Sequence, residues 1–475
     1  VSGILIDGAL VLGEAGFREG AVLVEGNRIA AMAGPGDAAG LRERAGTLID
    51  GRGQWLIPGL VDAHAHGYAT LLRGTENAMP LELWALYTVL YGRAYDDRAI
   101  RAAVLLGAAE RIRAGITGWV DHTPMVPLAE AAMAAHEASG LRVGYAAFLH
   151  DLSDYDLMHL DLPPEVSALA GALPALDVDA YAQRFATLVQ MGRAGSGRVR
   201  VMLGPNAPQR CSPEAWRLWR DLRARHGVSV HTHLMETAAQ AKVGAERGGG
   251  LIVEMEREGL LDRDLSVAHG IWLSRAEREI LARHEVIVAH NPASNLMLGS
   301  GILPYADSLA AGVGIALGTD SANTGGRHDL FEAMRLAMML PRIATRDHTA
   351  WPDGRAVLDM ATRRGAAVLG RGHELGRIAT GQLADVVLIR HDTAATLAMR
   401  PDANALVQHA STEAVETVMV DGRILMQGRR IVVFDEAAVI AEARDAIGEI
   451  RARVMHRVPD IDAVIPAVAR RLRAH

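Results

Sequence analysis

Leu60-Val61-Asp62-Ala63-His64-Ala65-His66 is a short apolar run ending in polar residues, and seven more runs of the same kind follow it along the chain. They are Gly115–His122, Arg142–Asp151, Val199–Asn206, Val228–Glu236, Leu265–Gly270, Val286–Pro292 and Val313–Ser321. Between them lie helical stretches such as Arg98–Ala114 and Pro213–His226. Eight alternating strand–helix units predict a closed parallel barrel, so the expected class is α/β with a (β/α)8 TIM-like barrel. No short-period repeat is visible, which argues against a solenoid.

Outside this core, both ends of the chain read as β-rich. Gly3–Gly8, Ala21–Ile29 and Thr47–Gly51 precede it, and Ala384–Ile389 and Val415–Arg423 follow it, with Gly and Asn at the turns. A small β-sandwich domain formed from both chain ends, or two separate caps, would account for them. The expected division is 1–57 and 376–435 for the β-domain, 58–375 for the barrel and 436–475 for a helical tail. In that tail Glu436–Val454 is amphipathic with Arg on one side. It reads as a helix packed on the outside, with a membrane-surface or nucleic-acid role as the alternative.

Composition bounds the function. For 475 residues, roughly 150 per domain gives about three units, and one barrel plus a smaller domain fits equally well. Half the residues are apolar and 22% are charged, without a long like-charge block, so disorder is not expected. The net charge of −7 disfavours nucleic acid as a partner. Cys211 is the one cysteine, which excludes an intrachain disulfide and a cysteine-built zinc site and fits a reducing cytosol. No apolar run reaches the roughly 18 residues of a membrane span, and no basic-then-apolar signal peptide opens the sequence.

The chemistry lies at the strand ends, where barrels of this kind carry their sites. Alternation along a strand puts His64 and His66 on one face, so both rings can enter the barrel mouth. A pair of core or surface histidines is the plainer alternative. His233 ends the fifth run, His269 the sixth, and Asp320 the eighth in Leu317-Gly318-Thr319-Asp320. Imidazole and carboxylate donors suit zinc, iron or manganese, and His64, His66, His233 and Asp320 could hold one ion with a position open for water. Each residue alone could be a satisfied core group; their joint placement on strand ends is the argument. His231 falls one layer deeper. Glu236, three residues past His233, can carry a proton between water and a leaving group, or simply sit beside a helix N-terminus.

The chain resembles the amidohydrolase superfamily. The resemblance rests on Leu56-Ile57-Pro58-Gly59-Leu60-Val61-Asp62-Ala63-His64-Ala65-His66, His231-Thr232-His233-Leu234-Met235-Glu236-Thr237, Ala268-His269-Gly270, His290-Asn291-Pro292-Ala293-Ser294-Asn295, Gly318-Thr319-Asp320-Ser321 and the late string Leu375–Asp385. It is most similar to the branch of S-adenosylhomocysteine deaminase, guanine deaminase and the triazine hydrolases. That branch implies one metal ion on His64, His66, His233 and Asp320, with Glu236, His269 and Asp320 handling water and protons. Two-metal members use a carboxylated lysine near the fourth strand. The sole lysine, Lys242, falls after the fifth, so a lysine-bridged pair of ions is excluded. Cys211, beyond the fourth strand, reads as a loop residue.

Two departures bear on substrate. Relatives often end the fourth strand Gly-Pro-His-x-Pro-Tyr, where this chain has Gly204-Pro205-Asn206-Ala207-Pro208-Gln209, and the loop Ser321–Glu332 differs from the nucleoside deaminases. Arg73, Trp84, His122, His150, Asn206, Gln209 and His290 are the candidates for substrate contact. Their structural alternatives are a salt bridge for Arg73, core packing for Trp84, strand caps for His122 and His150, and support behind the site for His290. The function expected is a mononuclear metal-dependent aminohydrolase, a hydrolytic deaminase of an N-heterocyclic amine. Its cofactor would be one divalent metal per chain, zinc ahead of iron or manganese. Competing readings are hydrolysis of an amide or urea, dechlorination of a triazine-like ring, and a non-catalytic scaffold. The partners expected are a small heterocyclic substrate and further copies of the chain, a homodimer or larger, without nucleic acid or membrane.

Overall fold

Five strands open the chain: β1 (Gly3–Gly13), β2 (Gly16–Glu25), β3 (Arg28–Ala33), β4 (Ala45–Asp50) and β5 (Gln54–Pro58). The computed structural model describes residues 3–473 apart from 76, 77, 125, 161, 172 and 174; the outermost positions of the expected end segments, 1–2 and 474–475, lie outside the described residues. The barrel strands follow as β6 (Leu60–His66), β7 (Ile116–Thr123), β8 (Arg142–Leu149), β9 (Val199–Pro205), β10 (Val230–Leu234), β11 (Leu265–His269), β12 (Ile287–His290), β13 (Gly314–Leu317) and β14 (Asp320–Ser321). Four more complete the chain's sheets: β15 (Val386–Arg390), β16 (Val415–Val420), β17 (Arg423–Gln427) and β18 (Arg430–Ile431).

Strands β6 to β13 pair in parallel in chain order. β6 and β7 are buried at every position, as strands with a core on one face and helices on the other must be. The expected eighth strand, Val313–Ser321, is broken. Its first part, β13, pairs with β12, and its last two residues, β14, pair Asp320 with Ala65 and Ser321 with His66 of β6. The ring closes through that jog. A Cβ on Gly318 would run into Asn291 Oδ1 and the His64 carbonyl oxygen, so the jog needs glycine there.

The two chain ends share one sheet, in the order β18-β17-β16-β15-β5-β1-β2-β3, with β4 also on β1. The junction is antiparallel β5–β15, with Ile57 opposite Val387. Ile6, Val22, Ile29, Ile49, Leu56, Leu388 and Met419, from seven of these strands, meet in one buried cluster. The sheet therefore folds over its own core as a small sandwich, not as two separate caps. Arg142 at the start of β8 fastens it to the barrel. Its guanidinium donates to Asp385 at 2.7 and 2.9 Å and to Asp421 at 2.7 Å.

The expected tail helix spans Glu436–Val454 and buries Val439, Ala443, Ala446, Ile450 and Val454. Its acidic side faces the helix Asp97–Arg113, where Arg98 pairs with Glu449 at 2.8 Å and Arg113 with Glu436 at 2.6 Å. A second helix, Val458–Leu472, follows. Among the described residues, no helix is long and apolar enough to cross a membrane.

Candidate active site

His64, His66, His233, His269 and Asp320 converge at the C-terminal ends of β6, β10, β11 and β14. His64 Nε2 lies 3.3 Å, and His66 Nε2 3.2 Å, from Asp320 Oδ1. His233 Nε2 is 3.3 Å from His66 Nε2. Donors about 2.0–2.2 Å from one tetrahedral ion stand roughly 3.3–3.6 Å apart, so the spacing fits a single cation.

The histidines are also in the tautomer that such a centre requires. His66 Nδ1 donates to the His122 carbonyl, and His233 Nδ1 to the Asn206 carbonyl at 2.7 Å. Behind His64 runs a relay. The Ser266 hydroxyl has the Val230 carbonyl as acceptor at 3.3 Å, so its oxygen accepts from His231 Nδ1 at 2.8 Å. His231 Nε2 then accepts from His64 Nδ1 at 2.8 Å. Each Nε2 lone pair is left facing its neighbours, and His64 Nε2 is buried without a hydrogen-bond partner. Burial pushes His64 down to about 4, and burial together with the neighbouring rings takes His233 and His231 well below the usual range. Neutral imidazoles are metal ligands. The Asp320 carboxyl, set between the His64 and His66 rings, is held well below the usual carboxylate range despite its burial. This donor set, with its orphaned lone pair, fits a divalent metal ion.

The backbone strains to build the centre. Met235, His269 and Asp320 have φ of 47°, 75° and 63°, a left-handed conformation that costs non-glycine residues about 1–3 kcal/mol each. Asp62 holds the Asp320 turn to β6 by accepting from Thr319 N at 2.9 Å and Thr319 Oγ1 at 2.6 Å. His269 Nδ1 donates to Asn295 Oδ1 at 2.9 Å. Its Nε2 thus points at Glu236 Oε2, 3.6 Å away, and Asp320 Oδ2, 3.9 Å away. Glu236 is pushed well up by burial first, then by the carboxylates of Asp320, Glu82 and Asp154.

A cavity of about 740 Å³ opens above these residues. Trp84, His150 and Asn206 line it, beside His66, His233, Glu236, His269 and Asp320. Four other candidates lie elsewhere. Arg73 pairs with Glu110 and donates to the Gly326 carbonyl. His122 is fully buried under the centre, its ring 4.6 Å from that of His233, and it offers a ligand atom within 4.8 Å of those of His64 and His233. Gln209 is buried in the turn Pro208–Arg210, and His290 is buried at the end of β12. Lys242 sits in the helix Ala238–Glu246, and Cys211 is buried with Sγ 3.4 Å from the Leu149 carbonyl.

The cavity wall also holds charged groups that were not anticipated, Glu82, Asp154 and Arg210 among them. Glu82 accepts from Thr237 Oγ1 at 2.7 Å, Arg210 donates to Asn206 Oδ1 at 2.6 Å, and Asp154 lies 3.9 Å from Arg210 Nε. Glu82 carried a signal, as the one charge in the apolar string Leu81-Glu82-Leu83-Trp84. Asp154 carried none, because its segment has no readable period.

Barrel, strand-end ligands and cavity together define a metal-dependent hydrolase. The chain belongs to the amidohydrolase family, whose model matches residues 55–425, and so acts on carbon–nitrogen bonds other than peptide bonds. It is 33% identical over 452 residues to a 5'-deoxyadenosine deaminase of Methanothermobacter thermautotrophicus, covering 94% of this chain and 98% of that one. It is 35% identical over 449 residues to a 5-methylthioadenosine/S-adenosylhomocysteine deaminase of Desulforudis audaxviator, covering 93% and 97%. Among solved structures, an adenosine deaminase from Xanthomonas campestris with bound Zn superposes with a TM-score of 0.84 at 27% identity, over 94% of this chain and 98% of that one.

Proposed function

We propose that the chain is a hydrolytic deaminase of a 6-aminopurine nucleoside or a close N-heterocyclic amine, using one zinc ion per chain. The observation that carries this reading is the pairing of a one-ion donor set with a buried Glu236, 3.6 Å from His269, beneath a cavity large enough for a nucleoside. The deaminase relatives supply the substrate class to try first. In this reading the barrel, 58–375, is the catalytic unit, and the β-domain (1–57 and 376–435) and the tail (436–475) support it.

His64, His66, His233 and Asp320 would hold the ion. When bound, it supplies the Lewis acidity that makes water a nucleophile at neutral pH. Asp320 Oδ2 and His269 Nε2 orient that water. Its oxygen adds to the ring carbon bearing the amine. Glu236 gives its proton to the adjacent ring nitrogen, takes one from the attacking water and passes it to the amine, and is reprotonated by the added hydroxyl as the carbonyl forms. The carbon–nitrogen bond breaks, ammonia leaves, and the ring keeps the water's oxygen as a carbonyl. Trp84 and Asn206 would position the ring.

The test is metal content per chain, followed on the same sample by ammonia release from 5'-deoxyadenosine, methylthioadenosine and S-adenosylhomocysteine. About one zinc per chain with ammonia from at least one of them is expected. One zinc with a dechlorinated or ring-opened product from triazines or ureas, and no ammonia, would replace the deaminase reading with its competitor. No metal after reconstitution would refute the donor set.

A further inference from the structure

At the opposite end of the barrel from the metal centre, a second cavity of about 620 Å³ lies between the starts of β8 and β9, the helix Val178–Ala194, the loop 369–374 and the β-domain. Arginines dominate its wall: Arg28, Arg142, Arg193, Arg200 and Arg371. The acids facing them are Asp264, Glu374 and Asp421.

These charges do not cancel. Arg142 is taken by Asp385 and Asp421. Asp264 is 65% exposed and leans toward Arg223 at 3.8 Å. Glu374 alone serves both Arg28, at 3.3 Å, and Arg371, at 2.6 Å. Among the described residues the Arg193 guanidinium donates to the His226 carbonyl, at 2.8 Å, and pairs with no carboxylate. Arg200 makes no hydrogen bond or ion pair among the described residues. It stands opposite Gly144 in the β8–β9 register and is exposed. His226 adds no anion; burial and the nearby Arg193 and Arg225 keep it neutral. Besides Arg142, four guanidiniums thus line the wall; Glu374 pairs with two of them, and Asp264 is the other lining carboxylate that Arg142 does not take. Arg371 is 7% exposed, and burial, with repulsion from Arg200 and Arg142, lowers its affinity for its proton. Like charges crowded on one wall repel one another, and an anion bound among them offsets that repulsion.

We propose that this cavity is a binding site for a phosphate group, carried by a small molecule or free, held by Arg193, Arg200, Arg28 and Arg371. Guanidinium forks match phosphate oxygens in pairs. The cavity volume is in the range that admits a phosphorylated metabolite as well as the bare ion. The two sources share the same chemistry and separate by experiment.

The test uses the full chain with metal bound. Thermal melts and calorimetry are run with inorganic phosphate and with adenosine 5'-monophosphate at low millimolar concentration, against sodium chloride of equal ionic strength. The expected result is a Tm rise of about 2–4 °C or more over the chloride control once ligand exceeds its Kd severalfold. Arg193→Gln/Arg200→Gln should weaken the binding at least about tenfold and leave zinc content and turnover unchanged. A response to phosphate alone assigns the free anion; a response to the nucleotide alone assigns a phosphorylated molecule. No gain over chloride overturns the proposal. So does undiminished binding by the double variant, which would place the anion elsewhere, as at the metal centre. Should the double variant fold poorly, Arg200→Gln alone suffices, because that side chain is exposed and has no partner to lose.

Discussion

At the scale of single residues, the proposed centre divides into groups that hold the ion and groups that move protons, and substitution should separate them. His233→Ala removes a donor and is expected to lose both metal and turnover. Glu236→Gln keeps the shape and the hydrogen bond that the backbone N–H of this position donates to Gln240 Oε1, but it cannot cycle a proton. It is expected to retain metal and lose at least about 10²-fold in kcat. Near-normal turnover by that variant would end the shuttle role. His231 touches His64, a proposed ligand, at 2.8 Å. His231→Leu leaves His64 Nδ1 unpaired and free to rotate, and should weaken zinc affinity about 10–100-fold, read by competition with a chelator. His64 and His66 were legible because spacing of two on a strand sets them on one face. The His231–Ser266 relay was not legible, because its partners come from adjacent strands 35 residues apart.

At the scale of elements, the barrel strands stood out through apolar runs ending in polar residues, and Pro213–His226 was readable to the residue. The eighth strand was readable as one run; its break at Gly318 answers to Asn291 and His64, which are distant in sequence. The helix Val458–Leu472 was covered only by the expected helical tail 436–475, without bounds of its own, because Pro459 opens it and Pro466 interrupts it, and a proline inside an apolar stretch reads as a break. It buries Val468 against Leu83, Met158 and Leu160, and Tyr87 Oη donates to Asp462 at 2.7 Å. Leu83 belongs to the same helix, Leu81–Gly92, that brings Glu82 and Trp84 to the cavity. Val468→Asp places a charge in that apolar cluster, at a cost of roughly 2–4 kcal/mol. The expected signature is a lower Tm and a raised KM with unchanged zinc content. An unchanged KM would show that the helix braces the fold without shaping the cavity.

At the scale of the whole molecule, Arg142 is the joint between barrel and β-domain. It is 2% exposed and shared by Asp385 and Asp421, so Arg142→Ala would strand two carboxylates at a closed interface. Removing one partner of a buried pair costs about 3–5 kcal/mol. At about 2–4 °C per kcal/mol for chains of a few hundred residues, a Tm drop of roughly 6 °C or more is expected by calorimetry. A drop of a degree or less would mean that water replaces the guanidinium. The residues proposed to hold the ion lie at the other end of the barrel from this joint, and metal content at low temperature should hold.

The repeat of eight apolar runs, the His64–His66 spacing and the placement of His233, His269 and Asp320 at strand ends were properties of the chain order alone, because strand periodicity converts sequence position into direction. What only the tertiary structure decided was everything that depends on closure. Ring closure through Asp320 and Ser321 sets the ligand distances. The folding of both chain ends into one sheet follows from β5 pairing with β15 across more than three hundred residues. The charged cavity wall of Glu82, Asp154 and Arg210, and the arginine-lined cavity at the far end, join segments whose chain spacing carries no period. Local patterns report which face a residue takes; long-range packing determines which faces meet.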